Sequence, residues 1–109
     1  MVTKRYWTIS EVADQFGVNQ SLLRYWEKEF PALDPKKQDS GKRAYTARDI
    51  EIITVLHDLL KEKGYTIDGA TRQLRQAMQE RQQMEELRNR LEHTRAELLK
   101  IAEDLERQG

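Results

Sequence analysis

The sequence predicts a mainly α chain in which short capped helices surround a basic hairpin-like loop and a long coiled-coil helix follows. Three observations predict it. Two short amphipathic segments are separated by Gly17 and a short turn. Residues 36–48 collect Lys36, Lys37, Lys42, Arg43 and Arg48 against a single acid, Asp39. Beyond position 83, apolar residues recur at alternating steps of three and four. With 109 residues, 38% of them hydrophobic and 35% charged, the chain reads as a small domain, 1–78, with a helical extension, 79–109.

The first helix spans about 10–16. Thr8-Ile9-Ser10-Glu11 has the capping-box pattern of a hydroxyl residue with Glu three places on. Ile9, Val12, Ala13 and Phe16 keep helical spacing, and Gly17 stands where a left-handed terminating residue belongs. Asn19 then starts a second helix over 20–30, with Leu22, Leu23, Trp26 and Phe30 on its apolar side and Pro31 and Pro35 after it. Two such helices joined by a short Gly-containing turn form a helix-turn-helix pattern. Residues 31–46 lack helical periodicity, and Asp39-Ser40-Gly41 is turn chemistry. A basic two-stranded loop in this place reads as a wing.

Thr46 with Asp49 caps a third helix, whose wide apolar face comprises Ile50, Ile52, Ile53, Val55, Leu56, Leu59 and Leu60 and which Gly64 ends. Thr66 caps a fourth, with Ile67, Ala70, Leu74, Ala77 and Met78 on one side. From 79 to 108 there is neither Gly nor Pro. Met84, Leu87, Leu91, Thr94, Leu98, Ile101 and Leu105 make a heptad seam, imperfect at Thr94. Glu86/Arg90 and Glu103/Arg107 stand at i,i+4 beside it. A single stripe of this kind requires cover, and self-association into a homodimer is the expectation.

The absence of cysteine removes disulfides, thiolate metal sites and a cysteine nucleophile. No segment has the roughly 18 apolar residues of a membrane span, and the first ten residues lack a signal-peptide core, so a cytoplasmic location is expected. Phosphate-loop, nucleophile-elbow and HExxH patterns are missing, His57 and His93 have no ligand spacing, and Met78 and Met84 belong to the helix stripe. Neither catalysis nor a cofactor is expected. The net charge of zero divides into +3 over 1–48 and −3 over 49–109, and on charge alone the basic patch at 36–48 suits either a polyanion-binding face or an ordinary solvated loop.

Residues 6–78 resemble the DNA-binding domain of the MerR family of bacterial transcription regulators. The resemblance is carried by Thr8-Ile9-Ser10-Glu11-Val12-Ala13, Phe16-Gly17-Val18, Leu23-Arg24-Tyr25-Trp26-Glu27, Gly41-Lys42-Arg43-Ala44-Tyr45-Thr46 and Asp49-Ile50, in matching order and spacing. It implies a winged helix-turn-helix with its second helix in the major groove, a dimer formed through the C-terminal helix, an inverted-repeat site in double-stranded DNA, and RNA polymerase as a further partner at the promoter. Two features depart from the family pattern. No effector domain follows the dimerisation helix within these 109 residues, and the metal-binding cysteines are missing. The resemblance therefore carries neither inducer sensing nor activation by DNA twisting to this chain. Trp26, where many members have Tyr, lies nearer the branch of light- and cobalamin-responsive and stand-alone small regulators.

Candidate DNA contacts are Asn19, Gln20 and Ser21 at the start of the second helix, then Arg24, Tyr25 and Lys28, then Lys42, Arg43 and Tyr45 in the wing. For Asn19 the competing role is capping. For Arg24 it is a surface ion pair with Glu27, and for Tyr25 a ring half-buried against the wing. Lys36 and Lys37 are weaker candidates. Trp26 shares the apolar face and is assigned to the core, whereas Trp7 suits a hydrophobic staple. Alternative functions are an architectural, recombination-directing or chromosome-anchoring DNA binder, and a helical module that docks a partner protein.

Overall fold

The computed structural model describes residues 5–109. Helix α1 (Ile9–Phe16) begins at the Thr8 cap, where Thr8 Oγ1 accepts from the Glu11 N–H at 3.2 Å and Glu11 Oε1 accepts from the Thr8 N–H at 3.0 Å. It ends at Gly17, whose φ of 64° is a left-handed geometry that glycine adopts without a Cβ penalty. Helix α2 (Gln20–Glu29) stops one residue before the sequence expectation. Phe30 precedes Pro31, which disfavours helical backbone there, and Phe30 adopts an extended ψ of 95°.

The wing is a two-residue antiparallel ladder, β1 (Lys36–Lys37) with β2 (Arg43–Ala44), pairing Lys36 with Ala44 and Lys37 with Arg43. Its turn closes through the Gly41 N–H on the Gln38 carbonyl at 2.8 Å. The base of the wing is tied to the N-terminal segment, since Trp7 and Tyr45 exchange backbone hydrogen bonds of 2.9 and 2.8 Å. Trp7 thus works through its backbone as well as through partial burial of its ring against the core.

Helix α3 (Ala47–His57) has a second complete capping box, between Thr46 and a buried Asp49. It passes into a five-residue π-helical turn, Asp58–Glu62, where the sequence had suggested α-helix as far as Gly64. The Lys63 N–H reaches back five residues to the Asp58 carbonyl, and the Tyr65 N–H six residues to that of Leu59. This is the usual glycine closure of a helix widened by one residue, with Gly64 at φ 71°. Helix α4 (Ile67–Gln108) starts at Thr66, whose hydroxyl accepts from the Gly69 N–H at 3.0 Å.

The chain divides at residue 78. In the first unit Val12, Leu23, Trp26, Phe30, Leu33, Tyr45, Ile53 and Leu56 are each no more than 2% exposed. Ala70, Leu74 and Met78 of α4 belong to the same core. In the second unit, Gln79–Gly109, every residue is exposed. The Glu103–Arg107 pair forms at 4.0 Å, whereas Glu86 and Arg90 are not paired among the described residues, and Arg88 turns to Glu85 at 3.8 Å.

Candidate nucleic-acid interface

Leu23 and Trp26 anchor α2 in the core, and this fixes which side of the helix faces water. Asn19, Ser21, Arg24, Tyr25 and Lys28 are exposed, and Gln20 is half-buried. Gln20, Arg24 and Lys28 follow at i,i+4 steps along one strip, and Arg24 Nη2 donates to Gln20 Oε1 at 3.3 Å. The pair thus presents an amide and a guanidinium together, both of which suit base edges in a major groove. Asn19 occupies the N-cap position but makes no side-chain cap bond. Its carbonyl accepts instead from the Leu22 and Leu23 N–H groups, at 3.1 and 3.4 Å, so the capping role expected of its side chain is not the one the structure gives it.

The wing stands beside this helix because of an interaction that the sequence reading missed. Glu27 accepts from Arg43 Nε at 3.0 Å through Oε1, and its Oε2 lies 2.8 Å from the same nitrogen. The Tyr45 hydroxyl donates to Glu27 Oε2 at 2.9 Å. Glu27 therefore pairs with Arg43, and Arg24 is left to Gln20. The clasp joins residues 16 and 18 positions apart in sequence. The available signal was an acid, Glu27, between the two cations of the helix, Arg24 and Lys28, with a cation and a tyrosine two residues apart in the loop that folds back.

Tyr45 is a correction. Its ring is completely buried and its hydroxyl is engaged with Glu27, so it has no exposed surface to offer DNA. Burial, and then the hydrogen bond to Glu27, hold the hydroxyl proton well above the ordinary tyrosine value of 10.0. Arg43 is partly sheltered, with 21% of its side chain exposed, while Lys42 at the turn and Lys36 and Lys37 on β1 are open to solvent. The Lys36 ammonium lies 5.9 Å from the centre of the exposed Tyr6 ring. His57 stacks obliquely on Phe16 with ring centres 5.9 Å apart, and His93 pairs with Glu97 at 3.1 Å on the surface. No cluster of three or more potential metal ligands occurs among the described residues.

Comparison with known proteins follows the same geometry. A family model described as MerR HTH family regulatory protein matches residues 7–77. The chain is 35% identical over 78 residues to the HTH-type transcriptional repressor CarH of Myxococcus xanthus, covering 72% of this chain and 26% of that protein. It is 35% identical over 60 residues to the HTH-type transcriptional regulator CueR of Yersinia pestis, covering 55% of this chain and 42% of that protein. The chain thus spans less than half the length of these curated relatives. A similar fold occurs in the crystal structure of HiNmlR, described as a MerR family regulator lacking the sensor domain and bound to promoter DNA. That match has a TM-score of 0.53 at 22% identity and covers 94% of this chain and 86% of the other.

Proposed function

Because the chain belongs to the MerR family of helix-turn-helix regulatory proteins, we propose that it is a dimeric, sequence-specific DNA-binding transcription regulator. Helix α2 enters the major groove and reads bases with Gln20 and Arg24, with Asn19 and Ser21 beside them, and the Tyr25 hydroxyl meets phosphate. Lys28 and the wing cations Lys42 and Arg43 meet phosphates. Two protomers pair through Met84, Leu87, Leu91, Thr94, Leu98, Ile101 and Leu105, which gives the complex a two-fold axis and its site an inverted repeat. The unit at 1–78 is the DNA-binding domain and 79–109 the dimerisation helix. On this reading the protein acts in the cytoplasm, at the nucleoid, where a promoter-bound copy meets RNA polymerase.

The observation that carries this reading is the Arg24–Gln20 pair on the exposed strip of α2, with the wing clasped to the same helix through Glu27. Selection of duplexes from a random pool tests it. The recovered sequences should contain an inverted repeat. If Lys28, Lys42 and Arg43 of both protomers each meet one phosphate, log affinity falls against log salt with a slope of about −5. Arg24→Ala should weaken binding to the selected duplex by roughly 1–3 kcal/mol and relax the preference at one position of each half-site. No enrichment at any salt concentration would remove the reading. A genomic binding footprint at dispersed, non-promoter sites would transfer it to an architectural DNA binder.

A further inference from the structure

We propose that Glu27 is a positioning residue for DNA recognition: it grips the Arg43 guanidinium by its Nε edge and so turns the terminal amino groups toward phosphate. The inference rests on the DNA-binding reading above and deepens it. A carboxylate on a helix that approaches a polyanion is repelled by that polyanion, so its presence there requires a reason. A hydrogen bond to Tyr45 alone does not supply one, because a neutral amide would accept the same proton.

The geometry around Arg43 does supply one. Arg43 Nε donates to Glu27 Oε1 at 3.0 Å, and Glu27 Oε2 lies 2.8 Å from the same nitrogen. Both of these contacts run through Nε, and the guanidinium has two further terminal amino groups, with four N–H donors, to offer an acceptor. Arg43 stands opposite Lys37 in the ladder, and a carboxylate at this point also relieves the repulsion between those two cations. The Glu27 side chain is only 12% exposed, which keeps the ion pair out of the full screening of water. Tyr45 completes the clasp, since its backbone is pinned by Trp7 and its hydroxyl by Glu27. The strand that carries Arg43 is therefore fixed at two points beside it, and 21% of the Arg43 side chain is open to solvent. A lysine at 43 would keep the charge but must serve Glu27 and phosphate from one ammonium, without the rigid fork that separates the two contacts on a guanidinium.

Fluorescence anisotropy on the selected duplex and on a shuffled duplex of the same composition tests this, with Glu27→Gln, Arg43→Lys and the double variant. Melting temperatures are measured in parallel. Glu27→Gln should weaken binding to both duplexes alike, by about tenfold, the scale of one misplaced charge-assisted bond to a phosphate, with the melting temperature unchanged. Arg43→Lys should do the same with its charge intact, and the double variant should be no weaker than either single variant. Tighter binding of Glu27→Gln to both duplexes would mean that the acid only repels DNA, and would overturn the proposal. So would multiplied losses in the double variant, or losses on both duplexes that track a fall in melting temperature. Wild-type protein that binds neither duplex would overturn the DNA-binding reading and this inference with it. Wild-type binding that Glu27→Gln leaves unchanged would overturn this inference alone.

Discussion

The residues up to Met78 and those from Gln79 onward carry helical stripes of the same period, but their apolar side chains have opposite fates. In the first unit Leu23, Trp26 and Phe30 are buried to within 1% of full cover. In the second, Leu91, Leu98 and Leu105 are 61%, 62% and 64% exposed. The type of apolar residue alone does not separate the two, since buried Leu23, Leu33, Leu56, Leu59 and Leu74 in the first unit have exposed leucine counterparts in the second. The first unit has Gly17 and Gly64, with left-handed turns at which helices end and the chain folds back on itself. Between 79 and 108 there is neither Gly nor Pro, so the stripe stays on one uninterrupted helix. A stripe becomes a core only where the chain can turn; where it cannot, it is available to a partner.

The largest break in that comparison should come from Trp26. Trp26→Ala removes the largest fully buried side chain from a core that already closes on itself, and should cost about 3–5 kcal/mol. The loss, read by chemical denaturation, should appear undiminished at every protein concentration. An effect below about 1 kcal/mol would mean that the first unit does not depend on this packing.

Next comes the seam. Leu91→Asp with Leu98→Asp puts two charges in each protomer where the proposed dimer packs apolar side chains. Association should weaken by a hundredfold or more, about 3 kcal/mol, as read by sedimentation equilibrium. The thermal unfolding of the first unit should survive in the variant. If the wild-type protein sediments as a monomer at micromolar concentration, the seam belongs to a different partner, and the helical-module alternative gains.

The two units also differ in how much of them could be read from the sequence. Elements specified by neighbours three or four residues apart were legible. The Thr8–Glu11 and Thr46–Asp49 boxes form as their spacing indicates, Gly17 takes the left-handed conformation, and the stripe from Met84 to Leu105 lies along one helix. Interactions that depend on how distant segments meet were not. Glu27 was weighed as a partner for Arg24, on its own helix, because nothing local shows the wing arriving with Arg43 and Tyr45. For the same reason the sequence suggests Tyr45 as a DNA contact of the wing, although its aromatic ring serves as core and its hydroxyl as a polar handle on Glu27. The π-helical turn had no signal at all, since Asp58–Glu62 has ordinary helix-forming residues and only the closure at Gly64 makes the wider turn.

A smaller effect sharpens the picture of the first unit as a set of capped pieces. Thr46→Ala removes the hydroxyl that accepts from the Asp49 N–H at 3.2 Å and donates to its Oδ2 at 3.0 Å. The Asp49 carboxylate, 4% exposed, would keep the Thr46 N–H at 2.9 Å. A loss of about 1–2 kcal/mol is expected, at the upper end of cap substitutions because the carboxylate is buried. Thr66→Ala, at an exposed cap, should cost less than about 1 kcal/mol in the same denaturation series.

The smallest effect separates the two units by pH. Tyr45 keeps its proton in the folded state far above 10.0, because burial and then the Glu27 carboxylate both oppose the phenolate. In the unfolded chain the hydroxyl ionises near its ordinary value. The unfolded state therefore binds fewer protons above pH 10, and stability must fall as pH rises. The contribution is intact below pH 10. With the folded state still protonated at pH 10.5, about 0.8 kcal/mol is lost there. Tyr45→Phe cannot ionise, so its stability between pH 8 and 10.5 should decline by that much less than the wild type's. Equal declines would mean that the Tyr45 hydroxyl is less sheltered than its burial implies, and the clasp would lose its polar anchor. Because the second unit has no tyrosine, any dissociation of the proposed dimer over the same pH range should be alike in the two proteins.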